Sequence, residues 1–479
     1  MIHFIYGEQT ISLGHTAADT TVLEWLRLHA NQTGTKEGCA SGDCGACTVV
    51  VVELNVGHTA LVYQPVNSCI AFVGSLHGKQ LISVEQLADG TALHPVQQAM
   101  VDQHGSQCGF CTPGFIMSMF AHFHAEETTR SDPHQIEHAL AGNLCRCTGY
   151  KPIKRAMSAA LDSDTDQYKL VNDVTLAKLK ALQTAGADDR CYLIPKSLSE
   201  LFAMQQQHPE ARVVAGATDL ALEVTQQLKP IDKLIHLKSI PELAGIDQTD
   251  DSVTIGATVS VQDCLSLMAP LVPGAEQMLL RFGSSQVRGQ ATIGGNIGNA
   301  SPIGDLPPLL LALDATLELQ GPAGKRSLPI NEFYLEYKQT ALQANEIITA
   351  VSFTVPSADS RFAVYKISKR MDDDISAVCL AISMQISADK ISSMRLALGG
   401  MAATPKRSSK AEQAAIGKPW NEQTVSEIQA ALSEEFSPLS DARASAEYRT
   451  LVTNNLVMRF YIEGNMPKEQ TQVALHVSG

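Results

Sequence analysis

Eight of the eleven cysteines in this 479-residue chain fall between positions 39 and 147, in two sets of four. The first set reads Cys39-Ala-Ser-Gly-Asp-Cys44-Gly-Ala-Cys47, with Cys69 further on. C-x4-C-x2-C followed by a distant cysteine is the spacing of a plant-type [2Fe–2S] cluster, in which four thiolates surround two irons and two sulfides. Gly38, Gly42 and Gly45 let this loop curl until its N–H groups point at sulfur, which helps to set a reduction potential. The second set reads Cys108-Gly-Phe-Cys111, then Cys145-Arg-Cys147. C-x2-C with a remote C-x-C matches neither a secreted disulfide framework nor the usual zinc ribbon. Structural zinc is the competing use for either set of four thiols.

Two further segments could hold an anion. Val213-Val214-Ala215-Gly216-Ala217-Thr218-Asp219-Leu220 reads as a strand, a small-residue turn and an apolar stretch. Thr292-Ile293-Gly294-Gly295-Asn296 continues through Gly298, Asn299, Ser301 and Gly304 to Asp305. Backbone N–H groups left unpaired in such turns form concave sites suited to a pyrophosphate. Neither is G-x-G-x-x-G, so a Rossmann fingerprint is excluded, and each alone could be a tight structural turn. Cys191, Cys264 and Cys379 are isolated and read as buried thiols. His122 and His124 read as helix-surface residues, and no H-E-x-x-H pattern occurs.

The elements that must position these residues form a multidomain α+β chain, for which the length suggests roughly three or four domains. Residues 1–80 read as a β-grasp ferredoxin domain. Ile2–Tyr6 alternates, Leu23–Ala30 has helical spacing behind Thr20 as cap, and Thr48–Leu54 is a β-branched strand. Residues 81–162 switch to helical period. Ser83-x-x-Gln86 is a capping-box pattern, and Pro95, Pro113 and Pro133 suit first turns of helices. Four short helices are expected there, with Phe115, Met119 and Phe123 in their core and the second cysteine set at helix ends. Residues 163–190 are polar and turn-rich, a linker with one short helix near Leu176–Leu182. Residues 191–357 alternate short strands and helices as a two-part α+β domain, and 358–479 form a C-terminal α+β domain closed by a helix over Ala444–Glu463. A net charge of −14 without a Lys/Arg block argues against nucleic acid or an anionic membrane face as partner. The N-terminus lacks signal-peptide character and no apolar run reaches membrane-span length, so cytoplasmic, reduced thiols are expected.

Taken together, the cysteine ladder, Thr292-Ile-Gly-Gly-Asn…Ser301-Pro-Ile-Gly-Asp305 and Gly399-Gly-Met-Ala-Ala-Thr-Pro-Lys-Arg407 resemble the iron–sulfur/FAD small subunits of bacterial xanthine dehydrogenases, in the molybdenum hydroxylase family. The likeness covers essentially the whole chain. It implies that Cys39, Cys44, Cys47 and Cys69 ligate the cluster nearer the flavin, and Cys108, Cys111, Cys145 and Cys147 the cluster nearer the molybdenum. Gln107 matches a glutamine contacting the pterin of the molybdenum cofactor. Val213–Leu220 and Thr292–Asn296 match the two FAD pyrophosphate-binding segments, with Asp305 beyond them. Phe282, Ile348 and Lys366 match positions lining the flavin, and Lys366–Asp374 resembles the charged loop beside the isoalloxazine, a stretch that could equally be a solvated hairpin. Leu280-Arg281-Phe282 departs from the family pattern: mammalian relatives carry a tryptophan here, in a cluster linked to switching between dehydrogenase and oxidase forms.

The resemblance implies a chain that passes electrons from a molybdenum cofactor through two [2Fe–2S] clusters to FAD and then NAD, while hypoxanthine or xanthine is oxidised to urate. Because the chain ends at Gly479 without a molybdenum domain, a separate large subunit is expected, two small and two large chains forming a heterotetramer. No side chain here is expected to act on the purine itself. The alternatives are the same role with aldehydes or other N-heterocycles, a stand-alone NADH-oxidising diaphorase, and a zinc-bearing scaffold. Carbon monoxide dehydrogenases split these modules between chains, which favours the xanthine type.

Overall fold

The first valine run sets the architecture. In the computed structural model, which describes residues 1–14, 16–55, 57–163, 166–183 and 191–471, strands β1 (Ile2–Tyr6), β2 (Gln9–Leu13), β3 (Thr48–Leu54), β4 (Leu61–Asn67) and β5 (Gln80–Ile82) form one sheet in the order β2-β1-β5-β3-β4. Alternate side chains of a strand point to opposite faces. Val49 and Val51 enter a core with Phe4, Trp25 and Leu26, whereas Val50 and Val52 enter a second core with Phe115, Met119 and Phe120. A strand buried on both faces needs an unbroken apolar run, and Val49–Val52 supplies one. The β-grasp expectation holds, with one adjustment: the helix starting at Val22 is capped by Thr21, whose hydroxyl accepts from Glu24 N–H, rather than by Thr20.

Four helices follow, α1 (Pro95–Asp102), α2 (Thr112–Phe123), α3 (Pro133–Leu140) and α4 (Lys151–Ala160), each with proline in its first turn. Phe115, Met119 and Phe123 are fully buried on one stripe of α2. Ser83 and Gln86 do form a cap, but on the single 3-10 turn Val84–Gln86.

Where the sequence reads a polar linker, residues 166–183 fold as α5 (Gln167–Leu170) and α6 (Asn172–Gln183), while Thr184–Arg190 and Asp164–Thr165 lie outside the described residues. Leu179, Tyr168 and Leu182 pack on the α2 core. Asp166 is the anchor. Its Oδ2 accepts from His94 Nε2 at 2.6 Å and His124 Nε2 at 2.8 Å, and its Oδ1 accepts from Lys169 N–H at 2.8 Å. His124 also stacks on Tyr63, with ring centroids 3.8 Å apart. His124 is therefore a buried residue, not a surface one, and His122 is half-buried with Nε2 against Arg130 C=O.

Residues 191–244 add a parallel three-stranded sheet, β6 (Tyr192–Leu193), β7 (Arg212–Val214) and β8 (Leu234–His236), in the order β6-β8-β7. They cluster with the N-terminal half into one compact unit, Met1–Ala244, together with Ser260–Gln262 and Gly283–Thr292. The second unit holds Gly245–Val259, Asp263–Phe282 and the chain from Ile293 on. It contains an antiparallel sheet that includes β9 (Ile246–Gln248), β10 (Ser252–Gly256), β11 (Thr316–Gly321), β12 (Gly324–Pro329) and β13 (Ile347–Thr354). A second sheet orders β14 (Arg361–Ile367), β15 (Val378–Ser387), β16 (Lys390–Gly399) and β17 (Lys406–Arg407). The closing helix runs over Ala446–Asn465.

Candidate functional site

The first cysteine loop is bent by its glycines and gathered by hydrogen bonds. At Gly45 φ is +67°, and a Cβ there would lie 2.2 Å from the Gly142 carbonyl oxygen, so no other residue fits. Ser41 and Cys44 N–H both donate to Cys39 Sγ at 3.4 Å. Asn67 Nδ2 donates to Gly42 C=O at 2.6 Å, and Ser68 Oγ to Cys47 C=O at 2.6 Å, drawing Cys69 against the loop. Cys47 Sγ then lies 3.2 Å from Cys69 Sγ, and Cys39 is within hydrogen-bond reach of Cys44 and Cys69. All eleven cysteines are free thiols. The bond to Cys44 holds the Cys39 thiol well below its ordinary range, and the bond to Cys69 does the same for Cys47, so each pair favours a thiolate.

The second set is built from helix ends. Cys108 and Cys111 precede α2, and Cys145 and Cys147 lie between α3 and α4. Cys147 Sγ stands 3.7 Å from Cys108 Sγ, and Cys111 is hydrogen-bonded to Cys145. Thr148 N–H donates to Cys145 Sγ at 3.4 Å, and Cys145 N–H to Tyr150 Oη at 3.0 Å. Among the described residues no three His, Cys, Asp or Glu side chains are set around one metal ion. Each set instead gathers four thiols, the donor number that a two-iron cluster takes. Cys108 and Cys147 are exposed, as are Gln107, Phe110, Leu144 and Tyr150 around them. The two sets are tied directly, since Leu144 N–H donates to Cys44 C=O at 3.0 Å.

The glycine-bearing segments fall in different units. In the first, β7 ends at Val214 and the chain turns through Ala215–Leu220, with Ala217 at φ +62° and a short helix over Ala221–Thr225. A Cβ at Gly216 would sit 2.1 Å from the Gln290 carbonyl oxygen, so the turn is closed down on a bare backbone. His236, paired with Val214 across the sheet, is pushed down to about 3 by burial and so stands neutral beside the turn. Thr218 is half-buried and Asp219 exposed.

In the second unit, Ile293–Gly298 is a short helix rather than an open turn, its Ile293 and Gly294 N–H groups donating to Val259 and Ala257 C=O. Asn296 Oδ1 is buried and, among the described residues, has no partner. Asp305 Oδ2 accepts from Lys366 Nζ at 2.6 Å, and its Oδ1 accepts from Ser376 Oγ at 2.5 Å. Arg281, which the sequence reading left without a role, donates to Lys366 C=O, Met371 C=O and Ser368 Oγ, each at 2.7 Å. The Lys366–Asp374 stretch is thus fastened at its start, not a free hairpin. Phe282 is half-buried, and Ile348 is buried on β13. Cys264 and Cys379 are buried as expected, whereas Cys191 is half-buried.

Comparison with known proteins follows this order. Residues 10–74 match the family described as "2Fe-2S iron-sulfur cluster binding domain", and 83–158 match "[2Fe-2S] binding domain". Residues 183–357 match "FAD binding domain in molybdopterin dehydrogenase", and 363–464 match "CO dehydrogenase flavoprotein C-terminal domain". Xanthine dehydrogenase 1 of Arabidopsis thaliana is 30% identical over 93% of this chain and 38% of its own length. Xanthine dehydrogenase/oxidase of Rattus norvegicus is 28% identical over 96% of this chain and 39% of its own length. The chain thus spans about two-fifths of the curated relatives it matches. Among solved structures, carbon monoxide dehydrogenase from Hydrogenophaga pseudoflava matches with a TM-score of 0.54 and 30% identity, over 56% of this chain and 94% of that one. The fold is shared also by quinoline 2-oxidoreductase from Pseudomonas putida 86, at a TM-score of 0.52. Fold and matches together define an electron-transfer module of an oxidoreductase, with two 2Fe-2S-binding domains and an FAD-binding domain. The chain belongs to the molybdenum hydroxylase family.

The residues fit the groups these domains imply. Two quartets of free thiols supply the donor chemistry of two-iron clusters. In the first unit, the bare-backbone turn at Gly216 has the form of an anion-binding turn, and in the second, Asn296 Oδ1 is a buried acceptor with no partner among the described residues. Among the described residues no helix is long and apolar enough to cross a membrane.

Proposed function

We propose that this chain is the electron-transfer subunit of a xanthine dehydrogenase. It would pass electrons from a molybdenum cofactor in a separate large subunit, through two [2Fe–2S] clusters and FAD, to NAD as hypoxanthine or xanthine becomes urate. Cys39, Cys44, Cys47 and Cys69 hold one cluster, and Cys108, Cys111, Cys145 and Cys147 the other. Val213–Leu220, Thr292–Asn296, Phe282, Asp305, Ile348 and Lys366 hold FAD, and Gln107 meets the pterin. When bound, two-iron clusters relay single electrons and the flavin gathers them into the pair a nicotinamide accepts. The protein's own part is positional. Its loops fix each thiolate, aim N–H groups at sulfur, and bond one cysteine loop to the other through Leu144 and Cys44.

The observation that carries this reading is the pairing of eight free thiols into two quartets ahead of an FAD-binding domain. The exposed, partly apolar rim around Cys108 and Cys147 supports entry of electrons from a docked partner there. A relative acting on aldehydes or other N-heterocycles would use the same chain, as the match to quinoline 2-oxidoreductase illustrates at the level of fold. The test is anaerobic purification with the neighbouring large chain, metal and flavin analysis, and assay against xanthine, hypoxanthine and aldehydes with NAD. About four irons and one flavin per chain, with NAD-linked turnover of xanthine, is the expected result. Zinc in place of iron, or no NAD-linked turnover of any of these substrates by the purified pair, would overturn it.

A further inference from the structure

One buried polar cluster borders both cysteine loops without contributing a sulfur to either. Gln286, on the short helix Ser285–Arg288, is fully buried, and Thr48, Ser118 and Asn143 are at most 2% exposed. Gln286 Nε2 lies 3.1 Å from Ser118 Oγ, 3.2 Å from Thr48 Oγ1 and 3.2 Å from Asn143 Oδ1. Asn143 uses its whole amide. Its Nδ2 donates to Gly45 C=O at 3.0 Å and Thr48 Oγ1 at 3.2 Å, while its Oδ1 accepts from Ser118 Oγ at 2.6 Å and from Gln286. Thr48 Oγ1 donates to Gly45 C=O at 2.6 Å. A Cβ at Gly142 would meet Gln286 Oε1 at 2.3 Å, so the chain ahead of Cys145 is bare where the glutamine enters.

Buried polar groups are costly unless every donor and acceptor is met, and a network that meets them all holds one geometry. This network joins the stretch between Cys44 and Cys47 to the stretch just before Cys145. Its fourth corner comes from a segment some 140 residues further along the chain than Asn143. We propose that Gln286 is a positioning residue that fixes the spacing of the two cysteine loops, and so the coupling between the two clusters. This rests on the reading of both loops as cluster sites.

The test uses the full chain, loaded with iron and reduced with dithionite. Gln286→Met keeps the length and apolar volume but removes the donors, and Thr48→Val removes the shared hydroxyl while Thr48→Ser restores it. The magnetic interaction between two reduced clusters falls as the inverse cube of their separation, so its splitting in the electron paramagnetic resonance spectrum reads the spacing directly. Gln286→Met and Thr48→Val should keep about four irons yet change that splitting, and slow flavin reduction by the partner's substrate about 10- to 100-fold, the usual effect of losing an outer-shell support. Thr48→Ser should behave as the unaltered protein. Should Gln286→Met not fold, Ser118→Ala removes one leg of the network and must shift the splitting in the same sense. Variants with full iron and the unaltered splitting overturn the proposal. An unaltered protein without reducible iron overturns instead the cluster reading beneath it, and that failure is visible before any substitution is made.

Discussion

Asp166→Ala should loosen the α5–α6 segment from the helical domain, and the size of the effect can be worked from its partners. The carboxylate is almost wholly enclosed and takes hydrogen bonds from His94, His124 and the Lys169 N–H that starts α5. His94 Nδ1 accepts from Val96 N–H at 3.3 Å, so its Nε2 must carry the proton directed at Asp166. Alanine leaves two buried imidazole N–H groups without acceptors, at about 1–3 kcal/mol each, and uncaps a helix, at about 1 kcal/mol. The total is about 3–7 kcal/mol, a large fraction of a domain stability of about 5–15 kcal/mol. Amide hydrogen exchange over residues 167–183 and 95–102 is the assay, because it reads local opening without assuming two-state unfolding. A loss of 3 kcal/mol corresponds to roughly 100-fold faster exchange. Asp166→Asn, which keeps an acceptor oxygen and the cap, should show a smaller change. Exchange in Asp166→Ala within about threefold of the unaltered protein would refute the reasoning. Acid should act in the same direction. Burial would raise the Asp166 carboxyl, but the bonds from His124 and His94 outweigh it and hold it below the usual carboxylate range. Burial holds the His124 imidazole below its ordinary value despite Asp166. The opened segment therefore takes up protons that the closed one does not. Opening becomes easier as pH falls below about 6.5 for the histidine and below about 3.9 for the carboxylate.

Three further outcomes follow from single contacts. Gly216→Ala drives a Cβ into the Gln290 carbonyl and should weaken flavin binding about 5- to 150-fold, for about 1–3 kcal/mol of strain, with iron content unchanged in the purified protein. Cys147→Ser should remove the irons of the exposed second set and keep those of the first, halving the iron count by metal analysis. Arg281→Ala deletes three hydrogen bonds to the 366–371 stretch and should speed its proteolysis and amide exchange, with the cysteine sites unaffected.

What could be read from the sequence was what is local. Cys39, Cys44 and Cys47 share one loop, so their spacing encodes the site. The valine run of β3 announces burial on both faces without saying what covers each one. The proline pairs mark three helix starts because proline's requirement is met within a single turn. What stayed hidden depends on partners far along the chain. Asp166 sits in a polar stretch that looks like linker, and only His94, 72 residues earlier, and His124, 42 residues earlier, make it an anchor. His124 reads as a surface residue for the same reason: Tyr63, which stacks on it, comes from β4. The Thr292–Asn296 glycines suggest an open turn, yet Ile293 and Ile297 are one helical turn apart and both fully buried, a signal that outweighed glycine's poor propensity. Arg281 carried no signal beyond its place beside Phe282.

The membership of residues 283–292 in the first unit bears on the order of events at the ribosome. Gln286 closes a loop of 238 residues to Thr48 and one of 143 residues to Asn143, and Gln64 reaches the Ser285 carbonyl across 221 residues. The sheet of β1–β5 and helices α1–α4 can collapse early from contacts near in sequence. Their two thiol loops, however, gain their last shared support only after the nascent chain has emerged past position 286. Until then the thiols sit on a scaffold still missing that support, and a truncated product ending before that point would carry both cysteine quartets without it.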